Sequence, residues 1–542
     1  MIDLKLTKRS LLLLLLVALN NNLNTQVWNR SFTAGNYDSN SKLLGGSEVL
    51  QLIGHKKMLF ASIGYWEDGN NIWYGGSNNS IGWGQINRLD NPNANWQEDL
   101  FLGANYLRPE ILKQVIFTKD KLGNLLPKPD TVLISAGYSP NYFTRKVNVT
   151  SFVRNDLNGT WGESLIINGG FPAGGDNYSI RDLQIHNDKQ TGLEYIFATI
   201  GTKGIFKGQY NPLVTGKIDW LPLPEYGPIT VRSLGIEIAN DTLYFSSGDK
   251  LYKRVDGLIP SYTVAHNFGD LGASINSAVG GIRGLTTIKN PNGSNEALLL
   301  MWCPNGQSSG IIYRLEPNGL GGFNRIYETT ISVLVENYLP GSTAKYILGA
   351  YNEFYQYIDP LTSDTLHLVG FEANVIGGGH LTWNGYYKGG LFATRNGTMQ
   401  YSIGEINGSI GVNDSALVAN RCYVTSPFPN ENALYYGGFD PNSNSSTNKA
   451  WIFKNDFQLT AISELSKQEN KYAVYPNPTQ NNLFIENTKS ECYHYEIISL
   501  TGKVISTDES CMDKQIIDVS NLPPNLYIIR IGEELFKFIK MQ

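Results

Sequence analysis

Arginines at a constant spacing are the side chains of this sequence best placed to bind a charged ligand. Arg181, Arg232 and Arg283 each open a short apolar segment, and successive members of the set are 51 residues apart. Guanidinium groups hold carboxylate and sulfate through paired hydrogen bonds, so several of them in one place favour an anionic ligand. Arg421 opens a further segment of this kind. We therefore predict these four arginines as ligand-binding residues.

Weaker copies of the same pattern extend the set to seven basic residues: Arg108, Arg181, Arg232, Arg283, Lys345, His380 and Arg421. If these positions are equivalent, they form a ring of positive charge that would concentrate an anionic ligand. The alternative is that each arginine caps its strand or pairs with a neighbouring acid such as Asp182. Both interpretations remain open at this point.

His380 and Tyr386 are weak candidates for catalysis. His380 follows three glycines, which allow a ligand close to the backbone, and an imidazole can act as a general base near neutral pH. Tyr386 lies six residues further on. A histidine after glycines is more often a turn residue, so no catalytic assignment follows.

Other kinds of chemistry have no support in the sequence. It contains no Gly-x-Ser-x-Gly, Walker or His-Glu-x-x-His motif, and its six histidines and four cysteines show no zinc spacing. We expect no metal and no cofactor. The net charge of −5 gives no indication of nucleic-acid binding.

The basic residues belong to a repeat that determines the predicted fold. Each unit has an apolar strand, a polar turn, a second apolar strand ending in glycine, and a third strand with aromatic and basic residues, as in 181–207, 232–254 and 283–314. Units of about 40–70 residues with three or four strands are typical of β-propellers, whose first strands line a central channel. We predict seven blades over residues 27–460, with eight as the alternative.

Composition agrees with an all-β protein. Aromatic residues make up 12% of the 542 residues and charged residues 17%, and there are 56 glycines. Disordered chains have few aromatic residues and many charges, whereas coiled coils are rich in Ala, Glu and Lys. Both classes are therefore excluded.

Residues 1–26 have the three parts of a signal peptide. Basic residues at positions 5, 8 and 9 precede an apolar run from Leu11 to Leu19, and a polar segment follows. Because this run is too short to span a bilayer, which takes about 20 residues, we expect cleavage and export. We expect no transmembrane segment in the mature chain.

Cys492 and Cys511 are close enough in sequence to pair, whereas Cys303 and Cys422 lie in apolar runs typical of buried thiols.

The last seventy residues have a sequence pattern that differs from the repeat of the preceding body. Residues 475–478 read Tyr-Pro-Asn-Pro, residues 500–503 read Leu-Thr-Gly-Lys, and residues 522–527 read Leu-Pro-Pro-Asn-Leu-Tyr. Short alternating strands surround these turns, which predicts a small β-sandwich. A polar linker, residues 461–471, precedes it.

These motifs and their order resemble the type A C-terminal sorting domain of the type IX secretion system of Bacteroidetes. The resemblance covers residues 472–542, with Asn525 where the family usually has Gly. It implies contact with the type IX machinery, passage through the outer membrane after periplasmic transit, and a final location outside the cell or on its surface. The preceding body resembles β-propellers generally.

Together these observations predict an exported propeller that binds extracellular carbohydrate or another surface ligand. Its partners would be the type IX machinery and an anionic glycan. The alternative is a polysaccharide-active enzyme, most plausibly a lyase acting on an acidic glycan. Whether the protein is an enzyme stays open at the level of the sequence.

The resemblance generates a test of export. A chain that ends at Asn470 should still cross the inner membrane but accumulate in the periplasm, because it lacks the recognisable outer-membrane address. Immunoblots of the periplasm and the medium measure this, with the full chain as the control. Normal amounts of the shortened chain in the medium would contradict the assignment.

Overall fold

A computed structural model describes residues 28–65, 83–103, 106–141, 146–169, 177–305, 308–359, 362–377, 386–388, 390–406, 419–439, 449–456, 472–487, 492–499, 503–532 and 534–541. The chain divides into two compact units, residues 1–457 and 458–542. The predicted signal peptide lies outside the described residues. No helix in the described ranges is long and apolar enough to cross a membrane.

The first unit begins with a strand that later serves the last blade. It contains β1 (Trp28–Thr33) and a short hairpin of β2 (Asn36–Tyr37) and β3 (Leu43–Leu44). Blade 1 follows with β4 (Glu48–His55), β5 (Met58–Gly64), β6 (Gln85–Leu89) and β7 (Gln97–Phe101). Each strand pairs antiparallel with the next.

Blades 2 to 5 repeat the four-stranded meander of blade 1. Blade 2 has β8 (Ile111–Lys119), β9 (Leu125–Asn141), β10 (Lys146–Arg154) and β11 (Trp161–Asn168). Blade 3 has β12 (Ile180–Asn187), β13 (Glu194–Ile200), β14 (Gly204–Tyr210) and β15 (Ile218–Trp220). Blade 4 has β16 (Ile236–Ala239), β17 (Thr242–Ser247), β18 (Lys250–Val255) and β19 (Ser261–Asn267), followed by a 3-10 turn at Gly269–Leu271. Blade 5 has β20 (Gly281–Lys289), β21 (Glu296–Cys303), β22 (Ile311–Pro317) and β23 (Phe323–Thr330).

Blade 6 differs from the others at its inner edge. A helix, α1 (Ile331–Tyr338), precedes it and buries Ile331 and Val335. Its strands are β24 (Ser342–Gly349), β25 (Tyr355–Ile358), β26 (Thr365–Gly377), β27 (Tyr386–Lys388), β28 (Leu391–Arg395) and β29 (Tyr401–Glu405). Both β24 and β25 pair with the long β26, so a loop at residues 350–354 interrupts the inner strand. Because residues 342–405 form one blade, the described chain has seven blades, as the sequence predicted.

Blade 7 closes the ring with a strand from the start of the chain. Its strands are β30 (Ala419–Thr425), β31 (Ala433–Phe439) and β32 (Trp451–Asp456), and β1 pairs with β32 as the outermost strand. One backbone pair, Phe439 with Glu48, joins blade 7 to blade 1. The inner strands of neighbouring blades lie side by side around the centre, which is the arrangement of a β-propeller.

Tryptophans of the outer strands tie neighbouring blades together. Each donates its indole N–H to a polar side chain of the adjacent blade. The three bonds are Trp96 to Ser31 Oγ (3.1 Å), Trp161 to Asp99 Oδ2 (2.9 Å) and Trp220 to Ser151 Oγ (2.9 Å). The repeat therefore specifies bonds between blades as well as strands within them.

The second unit is a small β-sandwich with a core of its own. Its strands are β33 (Tyr472–Tyr475), β34 (Asn482–Asn487), β35 (Tyr493–Ser499), β36 (Val504–Ser510), β37 (Lys514–Asp518), β38 (Asn525–Ile531) and β39 (Glu534–Lys540). They form sheets of three and four strands around a buried apolar cluster. Cys492 and Cys511 form a disulfide, while Cys303 and Cys422 of the propeller are buried free thiols.

Ring closure by β1 gives a testable expectation for stability. Trp28 is buried and makes edge contacts with Tyr436 (centroids 4.8 Å apart) and Phe392 (6.3 Å). Trp28→Ala should lower the free energy of unfolding by about 3–5 kcal/mol, the usual cost of removing a buried large aromatic side chain. Denaturant unfolding measures the change, with Tyr37→Ala, an exposed site on β2, as control. Equal stabilities of the two variants would show that the seam does not need β1.

Candidate functional site

Local irregularities of the inner strands aim arginines at the centre of the propeller. The register of β12 against β13 skips Arg181, and that of β30 against β31 skips Arg421. A β-bulge leaves one residue unpaired and redirects its side chain. In β20 the irregularity follows Arg283. Irregular pairing at the strand starts therefore accompanies the arginines that point towards the channel.

Five arginines gather around this end of the channel, and we call them the arginine collar. They are Arg108, Arg181, Arg232, Arg283 and Arg421. Three of the flanking acids, Glu48, Glu110 and Glu372, compensate part of their charge. Like charges this close repel unless acids or a ligand neutralise them.

Glu48 is the central acid of the collar. It is fully buried, accepts a hydrogen bond from Arg108 Nη1 at 3.0 Å, and pairs with Arg421 Nη1. Burial alone would raise the pKa of Glu48, but Arg421 and Arg108 hold it below its ordinary value. Glu110 accepts a bond from Arg108 Nε at 2.9 Å. Arg108 and Arg421 thus have structural partners.

Backbone and hydroxyl groups hold two further members of the collar. Arg283 is 1% exposed and donates to the carbonyls of Gly349 (2.6 Å) and Val279 (2.5 Å). Arg232 is also buried and contacts Ser179 Oγ at 3.5 Å. Arg283 and Arg232 thus also have hydrogen-bond partners within the protein.

Arg181 differs from the rest of the collar. In the described part of the chain its side chain has no hydrogen-bond or ion-pair partner, and its Nε is buried. Burial lowers the pKa of Arg181 well below its ordinary value, and repulsion from Arg232 and Arg283 lowers it further. An anion beside Arg181 would relieve both penalties.

Tyr351 sits among the arginines at the centre of the channel. Its ring centroid is 3.8 Å from the guanidinium carbon of Arg421, 4.8 Å from that of Arg283 and 5.8 Å from that of Arg181. Cations over an aromatic face are attracted by its quadrupole. Tyr351 belongs to the loop 350–354 that interrupts the inner strand of blade 6, which we call the plug.

A cavity of about 380 Å³ lies in the channel beside the plug. Arg181, Arg421 and Tyr351 line one part of it, and Lys113, Asp182 and Glu237 line another. Tyr355 and Tyr423 add aromatic surface. The volume is in the range of sites for small ligands.

Lys113 organises the charged groups of the wall. Its Nζ donates to Asp182 Oδ1 at 2.6 Å, to Glu353 Oε1 at 2.5 Å and to the Leu183 carbonyl at 3.1 Å. The two carboxylate oxygens are therefore no more than about 5 Å apart. Asp182 also accepts the backbone N–H of Ile236 at 3.1 Å.

Burial shifts the pKa values of two carboxyl groups of this wall upwards, those of Asp182 and Glu237. Burial raises the pKa of Asp182 to about 7 in spite of Lys113, and Glu353 contributes to the shift. Burial and Glu353 also raise the pKa of Glu237 well above its ordinary range. These shifts favour the neutral forms of Asp182 and Glu237, which reduces the negative charge of the wall.

The structure brings some of the predicted site residues together and not others. It brings Arg181, Arg232, Arg283 and Arg421 together, but Lys345 is exposed on β24 and does not join them. The reason is that the inner strand of blade 6 starts earlier and presents Tyr351, rather than its first basic residue, at the level of the collar. His380 lies outside the described residues. Tyr386 begins β27, but its side chain is not among those described.

Sequence reasoning missed much of the cavity wall. Lys113, Glu237, Tyr351 and Glu353 do not follow the repeat of the basic residues. The one available signal was Asp182 beside Arg181, yet this acid pairs with Lys113 rather than with an arginine. Partners 240 residues apart, as Lys113 and Glu353 are, leave no local pattern.

The second unit can be identified by comparison. Residues 473–541 match the family described as the secretion system C-terminal sorting domain of the Por type. With its two-sheet fold, this segment is a type IX sorting domain, which implies export to the cell surface or the extracellular space. The chain is thus a β-propeller followed by a secretion address.

Several solved structures are similar to this chain at very low sequence identity. The α-L-arabinofuranosidase Arb93A of Fusarium graminearum is 9% identical, with 80% of this chain and 96% of that chain covered and a TM-score of 0.35. PorZ, a surface component of the type IX system of Porphyromonas gingivalis, is 11% identical, with 97% and 88% covered and a TM-score of 0.22. An endo-arabinase of Bacteroides thetaiotaomicron is 11% identical, with 63% and 93% covered and a TM-score of 0.26. At these values the likeness carries no argument about activity. No curated protein matches the sequence.

The unequal compensation of the collar can be tested by stability. Arg421→Gln removes a partner of buried Glu48 and should cost about 3–5 kcal/mol, as when a buried ion pair loses one member. Arg181→Gln removes a repelled charge, so the free energy of unfolding should stay unchanged or rise. Urea unfolding of both variants at pH 7 measures the contrast. An equal loss in the two variants would make Arg181 a structural residue.

Proposed function

We propose that this protein is an exported β-propeller that binds an extracellular glycan carrying an anionic group in its central channel. The observation that supports this most directly is Arg181. It lines the cavity, Arg232 and Arg283 repel it, and its side chain has no hydrogen-bond or ion-pair partner within the described ranges. A carboxylate or sulfate is the chemistry that a free guanidinium prefers.

The rest of the cavity suits a sugar. Glu237 and Asp182 can exchange hydrogen bonds with hydroxyl groups, and Tyr355 and Tyr423 present aromatic surface. The raised pKa of Glu237 and the pairing of Glu353 with Lys113 both reduce the repulsion of an anion by the wall. Polar groups at fixed positions in a mostly apolar cleft are the usual design of such sites.

The export pathway supplies the setting for this function. We propose that the sorting domain engages the type IX machinery and is removed after passage through the outer membrane. The propeller would then be released or remain attached to the surface. In either place its ligand is extracellular.

A polysaccharide-active enzyme is the second candidate, and one observation favours it. Asp182, with a pKa of about 7, can accept or give a proton near neutral pH, and Arg181 beside it can neutralise a uronate. In a lyase reaction the base takes the proton next to the uronate carboxylate, those electrons form the ring double bond, and the glycosidic oxygen leaves with a proton from an acid such as Glu237. The sequence candidates for this role, His380 and Tyr386, stay predictions.

Binding of trigalacturonate by the full chain tests the proposal. Calorimetry should show affinity that falls with added salt, since the contact is charged. Arg181→Gln should weaken binding about tenfold or more, the loss of a charge-assisted hydrogen bond. Lys345→Gln, an exposed cation outside the collar, is the matched control and should bind like the parent.

The same titration has a pH signature. Affinity should fall between about pH 6 and pH 8, because Asp182 is neutral below its pKa of about 7 and negative above it. Asp182→Asn should remove this dependence. Equal, salt-independent binding of a neutral oligosaccharide would contradict the anionic ligand. Appearance of unsaturated uronide by ultraviolet absorbance would establish the enzyme alternative, and its absence would reject the lyase.

A further inference from the structure

Exposed leucines recur at the end of the propeller that lies away from the collar. The inner strands of blades 2 to 5 begin beside collar arginines, and neighbouring strands are antiparallel. The turn between the third and fourth strands of each blade therefore lies at the opposite end. In blades 2, 3, 4 and 5 the tip of this turn carries a leucine that is between 90% and 97% exposed. The four residues, which we call the leucine tips, are Leu157, Leu213, Leu258 and Leu320.

The fold does not account for leucine at these positions. Gly, Pro, Asn, Asp and Ser are the residues that turns prefer, and the leucine tips stand next to such residues in every one of the four turns. The corresponding turn of blade 1, residues 90–96, exposes Asp and Asn instead. An exposed leucine also forgoes the free energy that its burial would supply. Four consecutive blades thus share an apolar side chain that their own core does not use.

Further aliphatic residues enlarge the surface on the same side. Ile259 follows Leu258 and is equally exposed. Leu122 and Leu125 are exposed at the first turn of blade 2, which also lies away from the collar. The apolar side chains therefore concentrate on the arc formed by blades 2 to 5.

The four turns have no fully exposed charge. Residues 155–160, 211–217, 255–260 and 317–322 contain three charged side chains, all half-buried and all paired. The pairs are Asp156 with Arg154 (2.9 Å), Lys217 with Asp130 (2.7 Å) and Asp256 with Arg254 (2.5 Å). The fully exposed neighbours of the leucine tips are uncharged, so placing them in an apolar environment costs less than placing ions there.

A lipid bilayer fits this arrangement better than a folded protein does. The leucine tips project from separate turns and have polar residues around them, whereas a protein interface is built around a continuous, closely packed apolar centre. Fluid acyl chains accept side chains one at a time, and the uncharged polar residues beside each tip can stay among the headgroups. Binding of this kind increases with the apolar area that enters the bilayer.

We infer that the propeller lies on a lipid bilayer through the leucine tips, which insert between the acyl chains while the rest of the protein stays outside. The inference does not rest on the proposed function, because the collar lies at the other end of the blades. In this orientation the collar faces away from the bilayer. The contact gives the exported chain a means of staying on a cell surface.

Vesicle binding by residues 27–542 tests the inference, since the apolar run of the signal peptide would itself bind lipid. This chain should co-sediment with phosphatidylcholine vesicles, and 1 M NaCl should not weaken the binding, because the turns have no fully exposed charge. Leu157→Ser/Leu213→Ser should lower the partition coefficient about tenfold or more, because less apolar area enters the bilayer. Adding Leu258→Ser and Leu320→Ser should abolish binding. The melting temperature should stay that of the parent, as the four side chains are exposed.

Leu221→Ser/Leu223→Ser is the matched control. These two leucines are also exposed, but they lie in the connection from β15 to β16, at the collar end. This variant should bind vesicles like the parent. Equal binding by the two double variants, or no binding by the parent, would overturn the inference. A parent dimer that the substitutions at the leucine tips dissociate in sedimentation velocity would overturn it too, since the surface would then belong to a second copy of the chain.

Discussion

The centre of the propeller depends on the ion pairs that the buried carboxylate of Glu48 forms with two arginines. Glu48 stands at the start of the inner strand of blade 1 and pairs with Arg421 of blade 7 and with Arg108 beside blade 2. A buried ion that loses its partner costs several kcal/mol of stability. The inner strands of blades 7, 1 and 2 must therefore begin at the same level of the channel, so that Arg421, Glu48 and Arg108 can pair. Glu48 also forms the backbone pair with Phe439 that joins the two ends of the ring. Charge pairing and ring closure therefore depend on one another.

The candidate ligand site contains Arg181, the arginine of the collar that such pairing does not hold. Acids, carbonyls and hydroxyl groups hold four arginines of the collar, and Tyr351 lies against three of the five. Within the described residues Arg181 lines the cavity without a hydrogen-bond or ion-pair partner, which is a local conflict in the folded protein. Such conflicts concentrate at functional sites, where a ligand completes the set of interactions. The raised pKa values of Asp182 and Glu237 reduce the repulsion that an approaching anion would meet.

The two units of the chain separate two tasks. The sorting domain has its own apolar core and disulfide, and the export address lies within it. The propeller carries the cavity and the charged side chains. Because each unit buries its own core, the export address and the channel are built from separate parts of the chain.

The sequence by itself determined the class of fold, the export address and the position of the arginines. Each blade must pair its strands and bury its faces in the same way, so the strand pattern and the arginines recur along the chain as a repeat. The export address is visible as short local motifs in the last seventy residues. Tertiary structure decided which arginine of the collar has no polar partner among the described residues, because compensation comes from acids such as Glu48, which lies 373 residues from Arg421. It also decided the plug, since Tyr351 and Glu353 break the repeat and act on blades distant in sequence. Contacts between blades that are distant in sequence form only when the ring closes, so no local sequence pattern indicates them.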